Sequence, residues 1–301
     1  MMRYKPMLAH PVGGFERITE GDWQEGLYSH PKLDGVRCLI QYEQVDHFSR
    51  PIKYEVKAYS RTGKEWKNID HILKQLTPFF KEFPKVVLDG ELYNHNLKDD
   101  FEKIISLVRK TKPTDEDRVE SAEKVQFHCY DIVNEDWNFF DRSYFVQSHF
   151  AYYGHHQCDS VRAVDHGLVF NTEEVEVAHE EFLDRGYEGS ILRKNENYEC
   201  KRSWTLMKVK DFSDAEATII GFEEGKGKRA GHLGKFIMRD DEGVEFGCPP
   251  GKGYTYEDMK RLLYRAQWYV DHKARATFTY FERTKKGSYR HPLFKTIRDY
   301  E

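Results

Sequence analysis

In the stretch "YSHPKLDGVRCLIQYE", residues 28–43, a lysine stands between a proline and an apolar run, with Asp-Gly and then Arg close behind it. A strongly hydrated ammonium where a strand turns into a core is either a surface lysine before a turn or an amine with a chemical task. The task open to an amine is nucleophilic attack, and an amine attacks only without its proton. For Lys32 to serve, its pKa must fall from about 10.4 toward neutrality; nearby cations achieve that by like-charge repulsion, and burial reinforces it.

Other clusters of the same texture follow along the first two-thirds of the chain. After Lys32 come Asp34, Gly35 and Arg37; "YSRTG" holds Ser60, Arg61 and Gly63; "LDGELY" holds Asp89, Gly90 and Glu91. "CYDIV" carries Tyr130 and Asp131, "YEGSILR" carries Glu188 and Gly189, and "MKVK" carries Lys208 and Lys210. Taken singly, each has a plain structural explanation. Asp-Gly is a common turn pair and Glu-Gly a common stop after a helix. Glu91 and Glu188 could be surface carboxylates after turns, and Tyr130 a core tyrosine with a satisfied hydroxyl. Lys208 and Lys210 flank Val209, so a regular strand cannot point both the same way, and one of them must use a strand end.

The elements that must position these residues are partly legible. "EVKAYSRTG" and "KVVLDGELY" read as strands ended by Gly turns, and "KVQFHCYDIV" as a short apolar strand. "DDFEKIISLVRK" puts Phe101, Ile104, Ile105 and Val108 on one helical face, with acids at its start and bases at its end. "TEEVEVAHEEFLDRGYEGSILRK" reads as a helix with Val175, Ala178 and Phe182 inward, stopped by Gly186, then a turn and a strand. After "WTLMKVKDF" the texture changes to short strands between glycine-rich turns, with one amphipathic helix, "TYEDMKRLLYRAQWYV". That pattern suggests a small β-barrel of OB type, with a domain boundary near Asp211 and "KDFSDA" as a hinge.

The 301 residues suit two domains of unequal size. Charged residues at 33% and aromatics at 15% describe a globular chain, not a disordered one. No apolar run approaches the ~20 residues of a membrane span, and the N-terminus has no signal-like apolar stretch. Five cysteines without a CxxC pair argue against a disulfide framework or a zinc site and point to a reducing cytoplasm. Net charge is −4, but unevenly spread: residues 212–301 hold 17 Lys+Arg against 14 Asp+Glu. Lys273 to Arg298 alone carries eight basic residues and one acid, a plausible phosphate-facing surface or a solvated strand face.

The clusters, taken together and in this order, resemble the nucleotidyltransferase superfamily of ATP-dependent DNA ligases, RNA ligases and mRNA capping enzymes. Order and spacing, from "KPMLA" to "RHPLF", are similar to the small two-domain DNA ligases of phages and some bacteria. The resemblance implies an α+β fold: an ATP-grasp-like adenylation domain, residues 1–211, of antiparallel sheets with flanking helices, then a small OB-fold β-barrel, residues 212–301. It implies that Lys32, within K-x-D-G with Asp34, attacks the α-phosphate of ATP and carries AMP. Lys208 and Lys210 would approach that phosphate and neutralise its developing charge. Glu188 would ligate Mg²⁺, with Glu91 on the ribose or a second metal. Tyr130 would stack on adenine, with His30 and Pro31 beside it. Arg37 would contact the ribose or the nick, Arg61 a phosphate of nucleotide or DNA, and Arg290 the leaving pyrophosphate. At the position of His30 the family often has Glu or Gln reading the adenine amino group; a neutral imidazole can accept one hydrogen bond in its place. Lys226, Lys228, Arg229, Lys235, Lys285 and Lys286 would track a DNA backbone.

The partners implied are ATP and nicked duplex DNA, for a monomer without membrane association. An NAD-dependent ligase would need more chain before the lysine and a four-cysteine zinc site. An RNA ligase, a capping guanylyltransferase and a nucleic-acid-binding relative without catalysis remain alternatives, separable by labelling Lys32 with ATP or GTP and by offering nicked DNA or RNA.

Overall fold

The computed structural model describes residues 4–11, 15, 17–46, 53–98, 100–152, 154–156, 158–209, 213–251, 253–280, 283, 287–289 and 291–298. The chain divides into two compact units, Met1–Lys210 and Asp211–Glu301. In chain order the first holds β1 Leu8–Pro11, α1 Glu20–Glu25, β2 Leu27–Pro31, β3 Val36–Asp46, β4 Lys53–Tyr59, α2 Asp70–Glu82, β5 Val87–Tyr93, α3 Phe101–Val108 and α4 Asp115–Lys124. Then come β6 Gln126–Ile132, α5 Phe139–Phe150, β7 Val161–Ala163, β8 Gly167–Val169, α6 Thr172–Asp184, β9 Ser190–Arg193 and β10 Arg202–Val209.

These strands build two five-stranded sheets, ordered β1-β10-β9-β2-β8 and β4-β3-β5-β6-β7. β2 lies in the first and β3 in the second, so residues 32–35 cross from one sheet to the other. The expected purely antiparallel sheets are mixed instead. β1 runs parallel to β10, and β6 parallel to β7. The β6–β7 pair is joined through α5, the crossover that a parallel pair requires.

The larger core lies on the second sheet. Ile72, Leu76, Phe79 and Phe80 of α2 pack with Leu88, Leu92 and Phe127 of the sheet, all essentially without solvent contact. Each such side chain contributes roughly 1.5–3 kcal/mol by leaving water. The face of α3 is turned relative to the expected one: Ile104, Leu107 and Val108 are buried, whereas Ile105 is half-buried. α6 closes a smaller core over the first sheet, with Val175 against Leu27, Val169, Leu192 and Met207, and Ala178 at its margin.

The second unit holds β11 Ser213–Glu224, β12 Leu233–Arg239, β13 Glu245–Cys248, α7 Tyr256–Asp271, β14 Arg275–Tyr280 and β15 Leu293–Ile297. Among the described residues it is one antiparallel sheet, β13-β12-β11-β14-β15, and not the closed OB-fold barrel expected from its short strands. Its two edges meet at a single bridge, Pro250 to Phe294, where Phe294 N–H donates to Pro249 O (2.8 Å) and Gly251 N–H to Phe294 O (2.9 Å). The chain leaves β13 through Pro249 and Pro250, which have no N–H to continue a ladder. Phe236, Met238, Phe278 and Phe294 of the sheet form the core with Met259, Ala266 and Tyr269 of α7.

The observed face of α3 is testable by denaturant unfolding. Leu107→Ala should cost about 2–5 kcal/mol, the range for truncating a buried leucine, and Ile105→Ala distinctly less; the reverse order would refute the packing.

Candidate active site

Lys32 is held by a reciprocal backbone clasp. Its N–H donates to Gly189 O (2.8 Å), and Glu188 N–H donates back to Lys32 O (3.1 Å). Across this clasp the Lys32 amine forms an ion pair with the Glu188 carboxylate. The amine's side chain is 20% exposed and the carboxylate's 6%. Glu188 reaches this place because α6 stops sharply. Gly186 (φ 82°) donates to Leu183 O (2.8 Å) and Tyr187 to Phe182 O (2.9 Å), the paired bonds of a Schellman motif. Gly189 is required by contact: a Cβ there would lie 2.4 Å from Val209 O.

Gly35, at the end of the crossing loop, is equally constrained. A Cβ would fall 2.5 Å from both Leu92 O and Glu91 Cγ. The absence of a side chain thus lets β3 pair with β5 and brings Arg37 opposite Glu91. Arg37 does not extend freely. Its guanidinium forks onto buried Asp89, with Nε donating at 2.6 Å, and also donates to Met7 O (3.1 Å). Tyr198 OH donates to the same carboxylate (2.8 Å). Tyr130 lies between these groups: its hydroxyl is 3.3 Å from Gly90 O and 3.2 Å from Glu91 Oε2, and the Arg37 guanidinium sits 5.0 Å from its ring centre. Burial pushes the Glu91 carboxyl up to about 7, against the lowering effects of Arg37, Lys32 and the Tyr130 hydroxyl.

His30, Lys32, Arg37, Glu91 and Tyr130 line one cavity of about 230 Å³. Arg61, Arg193, Arg202 and Lys208 add to its charged lining, while Pro31, Ile191 and Leu206 supply apolar surface. Arg61 is exposed and stands on the turn closed by Ser60 N–H to Lys64 O (2.8 Å). Lys208 shares a face of β10 with Leu206 and Arg202, as strand alternation requires. Asp34 is half-buried. Lys226, Lys228 and Arg229 are exposed around the turn before β12, and Lys235 pairs with Glu223 (3.0 Å). Lys210, Lys285, Lys286 and Arg290 lie outside the described residues.

Sequence reasoning named Asp131 but missed Arg193 and Arg142, which pair with it. Arg193 Nη1 donates to Asp131 Oδ2 (2.6 Å), and Arg142 Nε donates to Asp131 Oδ1 (2.7 Å). Arg193 Nε meets His30 Nε2 at 3.1 Å. Arginine only donates, so Nε2 accepts, and the proton resides on Nδ1, which donates to Pro31 O (3.1 Å). The expected acceptor atom of His30 is therefore already engaged. Burial and the neighbouring Arg193 hold its pKa well below the usual imidazole range, so it stays neutral. The available signal was an arginine inside the apolar run "SILRK", the same anomaly that marked Lys32.

A lysine amine clasped to a buried carboxylate, in a cavity with four arginines and a second lysine, is equipment for covalent transfer of a phosphate-bearing group. The sequence families agree. The ATP dependent DNA ligase domain matches residues 6–210, and the DNA ligase OB-like domain matches residues 224–298. The chain belongs to the ATP-dependent DNA ligase family, and it is an enzyme of that kind. It is similar to a DNA ligase of Haemophilus influenzae, 24% identical over 78% of this chain and 76% of the relative. It is also similar to a DNA ligase of Natronomonas pharaonis, 26% identical over 88% of this chain but 47% of that protein. In fold it is like a solved Lig E DNA ligase from a study of DNA binding with a minimal scaffold, with a TM-score of 0.72, 23% identity, and coverage of 99% of this chain and 100% of that one. The ATP complex of the bacteriophage T7 ligase gives 0.55 and 17%, covering 98% and 99%.

Gly35→Ala tests the close approach. Displacing Glu91 or the Leu92 carbonyl by the missing ångström should slow AMP attachment on the order of 100-fold, with the thermal midpoint showing that the variant is folded. An unimpaired rate would show that the loop has room.

Proposed function

We propose that Lys32 is the residue that carries AMP, and that the cavity around it binds ATP. The observation that carries this reading is the Lys32 amine on the Glu188 carboxylate, inside a cavity lined by Arg37, Arg61 and Lys208. An opposite charge favours the ammonium form, so this pair is a resting arrangement, and the amine must part from Glu188 and lose its proton to attack. A bond then forms between Lys32 Nζ and the α-phosphorus while the bond to pyrophosphate breaks. Lys208, with Lys210 beyond the described residues, offsets charge on the phosphate oxygens. Arg61 holds a phosphate at the cavity rim, and Arg290 orients the departing pyrophosphate.

The base lies against Tyr130, Ile191 and Leu206. Since the His30 ring nitrogens are engaged by Arg193 and Pro31 O, His30 shapes the base site and does not read the amino group. Arg37 supports the site from Asp89, with Glu91 facing the ribose. Among the described residues no cluster of three or more His, Cys, Asp or Glu could hold a metal. Mg²⁺ needs only one or two carboxylates and completes its shell with phosphate oxygens and water. Glu188 and Glu91 would hold it; when bound it supplies Lewis acidity and charge neutralisation.

AMP then passes to the 5′-phosphate at a nick in duplex DNA, and attack by the 3′-hydroxyl releases AMP. The exposed Lys226, Lys228 and Arg229, with Lys235, Lys285 and Lys286, would contact the DNA backbone.

Comparison of two substrates tests this assignment. Lys32→Ala should lose sealing of a nicked duplex from ATP altogether, yet retain measurable sealing of a nick already carrying the adenylate. Sealing from ATP by the variant would place the nucleophile elsewhere.

A further inference from the structure

We infer that the outward face of α7 binds unpaired bases of single-stranded DNA. The inward face of the helix is accounted for, since Met259, Ala266 and Tyr269 lie in the core of the second unit. The outward face is not. Tyr264 is 91% exposed and Trp268, one turn further on, 56%. They stand at i and i+4, so their rings follow each other along one face of the helix. Lys260 precedes Tyr264 by another turn, and Arg265 flanks the row with Arg261, which pairs with Glu257 one turn back (3.7 Å); all three cations are exposed. No acid occurs between Met259 and Val270. The His272 ring stacks on Trp268 at 4.2 Å and 19°, which holds the indole in a fixed plane.

Aromatic planes with interleaved cations are the equipment for single strands: bases stack on the rings while the cations follow the phosphates. A duplex would use the cations alone, because its bases are already stacked on each other. An acidic protein segment would pair with the cations but brings no row of planar bases to stack on the two rings. The choice of DNA over RNA rests on the ligase reading above. The face would thus hold a single-stranded stretch beside the joint, such as an overhang or the strand opposite a gap. The exposed turn Gly227–Arg229 belongs to another part of the same unit and is not needed for this contact.

The test uses the full chain and a fluorescein-labelled oligothymidylate of about 20 nucleotides, longer than a typical single-strand site. Tyr264→Ala with Trp268→Ala should weaken binding roughly tenfold or more, the effect of losing stacked bases, and remove a DNA-induced quench of tryptophan emission. Lys260→Ala with Arg265→Ala should weaken binding and flatten its salt dependence. Sealing of a simple nicked duplex should be unchanged in both, whereas joining of ends with long overhangs should fall. Loss of duplex sealing by the unaltered chain would instead strike at the ligase reading. Oligothymidylate affinity within about twofold of the unaltered chain for the aromatic variant, a retained quench, displacement by polyglutamate as effective as by DNA, or a change in oligomeric state without a change in DNA affinity would each overturn the inference.

Discussion

The site depends on the clasp between residues 32 and 188–189. Two backbone hydrogen bonds fix the main chains, and the ion pair across them fixes the side chains. The clasp joins segments more than 150 positions apart in sequence, each delivered by a separate device. One is the loop that carries the chain from the first sheet into the second. The other is the tight stop of α6 at Gly186. Either glycine-dependent approach, at Gly35 or at Gly189, would fail if a Cβ were added, because the nearest obstacle includes backbone that cannot swing away. This is the physical content of the Asp-Gly and Glu-Gly pairs: they are ordinary turns that happen to permit contact no other residue would allow.

Behind the cavity stand two buried carboxylates with separate duties. Asp89 takes Arg37 and Tyr198, while Asp131 takes Arg142 and Arg193. Buried charges of this kind cost several kcal/mol of desolvation each unless paired and hydrogen-bonded, and here each carboxylate is met by arginine, with the Tyr198 hydroxyl added on Asp89. Arg193 continues the second network to His30, whose other nitrogen reaches Pro31 O, next to the nucleophile. The position of Lys32 is thus tied, through Arg193 at the cavity wall, to the buried Asp131 and Arg142 behind it.

The sequence revealed most where chemistry is local. K-x-D-G, Glu91 and Tyr130 sit within short strands and turns whose residue types announce themselves, and these residues do converge on one region. Long-range pairing was illegible. Nothing local shows that Arg37 turns to Asp89, or that the lone acceptor of His30 is spent on Arg193. The helix Asp70–Glu82 carries Pro78 inside it, a residue that locally signals an end and that only the tertiary packing overrides. The face of α3 was read one step off, since Ile105 and Leu107 are equally apolar and only the packed neighbours decide between them. Strand length and glycine content suggest a barrel but do not report whether the edge strands β13 and β15 can pair along their length; the Pro249-Pro250 pair, which limits that contact to one bridge, does.

The most direct measurement is to incubate the unaltered protein with ATP, digest it under conditions that spare a phosphoramidate, and locate the added AMP by mass spectrometry. The account predicts AMP on the peptide containing Lys32 and on that residue within it. AMP on Lys208 or any other residue, or none at all while DNA is still joined from ATP, would contradict it.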